Sequence, residues 1–134
     1  MHLHISLLFF CCAPLADLNE VILDHYNLVF VGEVIEVHHP TNHWFWKHFR
    51  DDGFKYSFKV IEGFRGVKSG QVIQLPSDIY TSLGVHTTVG RRWLIILNNS
   101  TDRPANLHAC SYSIRLNSES AQSRLQFIKD TLND

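Results

Sequence analysis

A mainly β domain bracketed by two helices is the fold class this sequence predicts, and three observations carry the prediction. Five segments of strand length are rich in β-branched and aromatic residues and are separated by clusters of Gly, Pro, Asn and Ser. Residues 120–132 place Ala121, Leu125, Ile128 and Leu132 at i, i+4, i+7 and i+11, along one face of a helix. A chain of 134 residues, 45% of them hydrophobic and 19% charged, supplies one core. Residues 12–134 are therefore expected to form a single domain behind a signal-like or poorly ordered segment, residues 1–11.

The elements follow in order. Residues 17–26 predict a short N-terminal helix, with Asp17 as N-cap, Glu20 completing a capping box, and Leu18, Val21, Ile22 and His25 on the inward face. Residues 28–37 predict a strand through Val29, Val31, Val34, Ile35 and Val37, and Gly32-Glu33 marks a bulge or bend within it. Residues 38–53 have no sustained period and carry Pro40 and Gly53, so they predict a long loop or an irregular hairpin tip. Residues 55–64 alternate, with Tyr56, Phe58, Val60 and Glu62 on one face and Lys55, Ser57, Lys59 and Ile61 on the other. A turn over 65–70 leads to a returning strand, 71–75, stopped by Pro76. Residues 77–90 form a second connection, and the apolar run Trp93-Leu94-Ile95-Ile96-Leu97 fits a central strand buried on both sides. Residues 107–116 predict the last strand and residues 120–132 the C-terminal amphipathic helix. Five strands joined by hairpins and one long-range closure predict a five-stranded Greek-key barrel of the OB type, while a five-stranded SH3-like barrel or an open sandwich fits the same pattern.

Composition excludes several classes of partner. Twelve Lys and Arg against thirteen Asp and Glu leave a formal net charge of −1, so no basic excess drives binding to phosphate backbones or anionic lipid. Ile5 to Phe10 is far short of the ~20 residues that span a bilayer, so no membrane span is expected.

The three cysteines are Cys11, Cys12 and Cys110. Vicinal cysteines strain a mutual disulfide, so a bridge would join one of the pair to Cys110 and leave one thiol over. Closing so long a loop is worth about 4 to 5 kcal/mol on the loop-entropy scale. Three reduced, buried cysteines in a cytosolic protein are the alternative. Ile5-Ser6-Leu7-Leu8-Phe9-Phe10 followed by Ala13 is similar to the apolar core of a secretory signal, although only His2 and His4 precede it. Three origins are compatible with this segment: a start codon upstream, a weak signal, or the first strand of a cytosolic fold.

Cys12-Ala13-Pro14 precedes Val29-Phe30-Val31-Gly32-Glu33-Val34, and Phe64-Arg65-Gly66 closes the next strand. Gly90-Arg91-Arg92-Trp93-Leu94 and Leu107-His108-Ala109-Cys110 follow in order. Together, over residues 12–116, these segments resemble the netrin-like domain, the OB-barrel family that includes the inhibitory domain of the tissue inhibitors of metalloproteinases and small secreted bacterial proteins. The resemblance implies a periplasmic or extracellular protein with a disulfide between Cys12 and Cys110. The positions of the family's other bridge fall on Phe10 and on Leu83 before Gly84, so both its ends are absent together and Cys11 is unpaired. The inhibitors resembled here chelate a protease zinc through the amine and carbonyl of an N-terminal Cys. In this chain only cleavage before Cys11 or Cys12 would supply such a terminus.

The segment His38 to Phe49 holds His38, His39, His43 and His48, four of nine histidines, together with Trp44, Phe45, Trp46 and Phe49. His39/His43 and His43/His48, at i+4 and i+5, are the pairs a metal would use. Pro40 breaks a helix at its start, and the nearest carboxylates are Asp51 and Asp52, so a solvated His-rich loop is the favoured reading and no cofactor is expected. The aromatic side chains cannot all reach a core from one loop, so His38, His39, His43, Trp44, Phe45, Trp46 and Phe49 are the expected partner-binding loop, with rings capping the barrel end as the alternative.

No Gly-x-Ser-x-Gly, His-Glu-x-x-His, Cys-x-x-Cys or phosphate-binding glycine loop occurs. Glu33 and Glu36 stand at odd separation on a strand, which predicts opposite faces and no carboxylate pair. The expected function is therefore non-enzymatic and secreted, binding a protein partner of the metalloprotease class. The alternative is an OB module that binds oligosaccharide or single-stranded nucleic acid on Trp44, Trp46 and Tyr56; the neutral charge and the signal-like segment weigh against nucleic acid.

Overall fold

Every second residue of a strand faces the same side, so a strand that is apolar throughout needs cover on both faces. β1 (Leu28–His38) meets this demand over its first seven residues. The computed structural model of the chain describes residues 15–38, 54–77 and 84–132. After α1 (Glu20–Leu23) and β1 come β2 (Phe54–Arg65), β3 (Val72–Ser77), β4 (Arg92–Leu97), β5 (Ile114–Arg115) and α2 (Glu119–Leu132). The strands form one antiparallel sheet in the order β3-β2-β1-β4-β5.

The sheet divides the apolar residues into two cores. Leu28, Phe30 and Val34 of β1 join Tyr56, Phe58 and Val60 of β2, Leu75 of β3 and Trp93, Ile95 and Leu97 of β4 on the inner face. Val29 and Val31 join Leu94 and Ile96 on the outer face, where Leu23 of α1, Tyr112 and Ile128 of α2 cover them. The prediction for residues 93–97 therefore holds: β4 is buried on both sides. The predicted face of β2 also holds for Tyr56, Phe58 and Val60.

Register shifts change the rest of that alternation. Val31 pairs with Glu62 but Gly32 with Val60, so Ile61 is an extra residue and Glu62 turns to the outer face, beside Lys129 of α2 at 4.0 Å. Val34 pairs with Phe58 but Glu36 with Ser57, so Ile35 is bulged out and Val37 regains the inner face. The expectation that Glu33 and Glu36 face opposite ways fails for this reason: the bulge puts both on the outer face. They remain separately occupied, Glu33 by Arg92 at 3.3 Å and Glu36 by His38 at 3.2 Å.

The N-terminal helix is shorter than residues 17–26. The Asn19 side chain, not that of Asp17, caps it by accepting from the Ile22 amide at 2.9 Å. Leu23 is buried while Val21 is exposed, and Arg65 donates to the Leu23 and Tyr26 carbonyls, both at 2.9 Å, where the helix stops. Gly66 follows with φ 82°, and a Cβ there would collide with the Asn27 carbonyl.

The strand predicted over 71–75 continues through Pro76 to Ser77, because β3 ends where few ladder donors are needed and Pro76 still offers its carbonyl to the Leu107 amide at 2.9 Å. The strand predicted over 107–116 is divided. His108 bridges Gly84, a turn intervenes, and only Ile114–Arg115 pair with β4. The C-terminal helix begins at Glu119, capped by Ser118, whose hydroxyl accepts from the Ala121 amide at 3.2 Å. Ala121 and Ile128 are buried and Leu125 and Leu132 pack beside them, as the stripe predicts.

Candidate functional site

Among the described residues, the inner core gives way to open space at the end of β1 and β2. A cavity of about 600 Å³ opens there, lined by Val37, Phe54, His86, Thr87, Thr88, Val89, Arg91 and Arg115. Its floor is fixed by polar tips of core aromatics. The Tyr56 hydroxyl donates to the Val85 carbonyl at 2.7 Å, and the Trp93 indole Nε1 donates to Thr87 Oγ1 at 3.0 Å. Buried phenol and indole groups need such partners, and here they pin the 85–87 segment across the strand ends. Ser77, itself buried, extends the stitching by accepting from the Val85 amide at 2.8 Å and donating to the Leu107 carbonyl at 2.6 Å. One wall is the Phe54 ring, edge-on to both His86 (5.6 Å between centroids) and Tyr56 (6.0 Å).

The opposite wall is basic for a reason of register. Trp93 faces the inner core and pairs with Arg115, so Arg115 stands on the same face; Arg91, two residues before Trp93, does too. Arg92, between them, faces outward to Glu33. Among the described residues Arg91 forms no ion pair, and none of those that line the cavity is acidic. With the Asn117 amide oxygen turned toward it, the Arg115 guanidinium donates to that oxygen through Nε at 3.0 Å.

Burial pushes the Tyr56 hydroxyl above its ordinary 10.0, against a smaller lowering by the hydrogen bond with the Thr87 backbone. Tyr26, on the outer face, is raised by burial and by the charge that Tyr112 would carry.

Of the residues expected at the site, His38 ends β1, exposed and beside Glu36. His39, His43, Trp44, Phe45, Trp46, His48 and Phe49 lie outside the described residues, as do Cys11 and Cys12. Cys110 lies in the turn after His108, in the segment that fastens the N-terminal side of the described chain, where the Tyr112 hydroxyl donates to the Ala16 carbonyl at 2.6 Å. Among the described residues no three His, Cys, Asp or Glu side chains gather as a metal ligand set, and no helix is long and apolar enough to cross a membrane.

The sequence reading missed the cavity wall. Arg91 was within its reach, since a residue two before a core Trp shares its face. Arg115 was not, because its place follows from a two-residue pairing inside a segment expected to be one long strand. No protein-family model matches this chain, and no curated protein matches it.

Proposed function

We propose that this chain is a secreted, non-enzymatic domain of netrin-like, OB-barrel type that binds a protein partner of the zinc metalloendopeptidase class through the open end of its sheet. The observation that carries the reading is the hydrogen bond from Tyr112 to the Ala16 carbonyl. It brings the residue four positions after Cys12 to the segment two positions after Cys110, which a Cys12–Cys110 bridge requires. Two further features support it. The strand order leaves β3 and β5 as edges, and residues 107–108 reach from the β5 side to Pro76 and Gly84, the contact a closing barrel would use. The described residues on either side of the expected recognition loop are His38, which ends β1, and Phe54, which begins β2 and lines the cavity.

The test is the intact mass of the protein exported by its host, with and without reduction before thiol alkylation, followed by inhibition of a zinc metalloendopeptidase catalytic domain. The proposal expects a chain beginning at Cys11 or Cys12 with one bridge to Cys110, and saturable inhibition. An uncleaved chain with three free thiols contradicts it, as does a processed chain that leaves the protease fully active and unbound.

A further inference from the structure

Charged side chains on the core-facing side of a sheet break the binary pattern that the rest of this molecule keeps, and such local conflicts concentrate where function is carried. Arg91 and Arg115 are on that side of β4 and β5, at the point where the inner core gives way to the cavity. Across from them stand apolar groups, Val37, Phe54 and Val89. Val89 is 61% exposed, an apolar rim with nothing packed on it among the described residues. Between the two walls, His86, Thr87 and Thr88 offer hydrogen-bonding groups.

We propose that this cavity binds a small organic anion: a carboxylate carried on an apolar or aromatic body. The volume, about 600 Å³, falls in the range that accepts drug-sized molecules. Guanidinium groups present paired donors that match the two oxygens of a carboxylate, and Arg91 has no acidic partner among the described residues to compete. Among the described residues the lining holds two guanidinium groups and no carboxylate, the balance an anion would favour. Phe54 gives the body of the ligand an aromatic face, and its edge-on contacts with His86 and Tyr56 hold that face in place. The orientation follows: carboxylate toward the β4–β5 wall, apolar body toward Val37, Phe54 and Val89. Nothing in this inference depends on the protease reading, and the two fail separately.

The probe is 2-naphthoate, titrated into the full-length protein by calorimetry and followed in parallel through backbone amide NMR signals, with the neutral 2-naphthalenemethanol as comparison. Saturable binding is expected for the acid, at least tenfold tighter than for the alcohol, with the amides of Thr87, Thr88 and Val89 among those that move. Arg91→Gln and Arg115→Gln should each weaken the acid about tenfold or more, and leave the alcohol unchanged, because charge-assisted hydrogen bonds are the strong ones. Arg92→Gln, one residue away and outward-facing, should leave both titrations as they were. Arg91 is exposed, so Arg91→Gln decides the matter even where Arg115→Gln loosens the short β5. Equal binding of acid and alcohol overturns the proposal, and so do unchanged affinity in Arg91→Gln, shifts confined to other surfaces, or no saturation at 10 mM probe.

Discussion

The outer and inner faces of this sheet are built by alternate residues of the same strands, yet they end differently. On the outer face Val29, Val31, Leu94 and Ile96 are covered by Leu23 and Ile128 from the two helices, and the polar groups nearby are used internally. Arg65 serves the end of α1, and Arg124 donates to the Tyr112 carbonyl at 2.6 Å while lying over the Tyr112 ring. On the inner face the same strands bury Phe30, Phe58 and Ile95 deep in the fold, but toward Phe54 and Arg115 the core gives way to the cavity, where Arg115 meets Asn117 and Arg91 has no ion pair among the described residues. The difference teaches that burial pattern alone does not describe how a face ends. Whether a charged group at its margin has an internal partner, as Arg65 and Arg124 have and Arg91 among the described residues has not, follows from pairing between distant segments.

The largest effect expected is in the closed part of the inner core. Phe30 is fully buried and edge-on to Phe58 at 6.3 Å, so Phe30→Ala should cost about 3–5 kcal/mol in denaturant unfolding. Ile128→Ala, which uncovers the outer face, should cost about 2–5 kcal/mol; a loss near zero would mean that α2 does not seal that face. Gly66→Ala forces a side chain onto a positive φ against the Asn27 carbonyl and should cost more than about 1 kcal/mol by the same measurement.

Tyr56 gives the comparison a pH axis. Its folded-state pKa is raised above 10.0, first by burial, so the folded protein holds the phenol proton more tightly than the unfolded chain does. The stability tied to that proton is complete below pH about 10 and is lost as pH rises through the folded value. Thermal unfolding as a function of pH should show this fall, and Tyr56→Phe should make it shallower, leaving the part due to Tyr26. At neutral pH the same substitution should cost about 1 kcal/mol for the lost bond to Val85. Arg91→Gln comes last: an exposed residue with no ion pair among the described residues should change stability by less than about 0.5 kcal/mol, which would set the cavity end apart from both cores.

Much of this architecture was legible before the fold was known. The continuous apolar run at 93–97, the alternation of Tyr56, Phe58 and Val60, and the 3.6-residue stripe of the last helix each state their own burial. What was not legible depends on pairing between distant segments. The bulges at Ile35 and Ile61 rotate Glu36 and Glu62 onto the outer face, and no local pattern around either residue announces it. The last strand was over-read because residues 107–116 look alike in composition, whereas tertiary contacts give 107–108 to Pro76 and Gly84 and only 114–115 to β4. The cavity combines both difficulties, since Arg115 is brought to Arg91 by register and Thr87 is held by Trp93 and Tyr56 from other strands.

The central claim is that recognition belongs to the open end and support to the helix-covered face. Its most direct test is a titration of the isotopically labelled, exported protein with a zinc metalloendopeptidase catalytic domain, followed through backbone amides. The account predicts a saturable complex whose perturbed signals are those of His38, Phe54 and residues 85–91, with α2 unmoved. No complex, or one whose perturbations fall along residues 119–132, would contradict it.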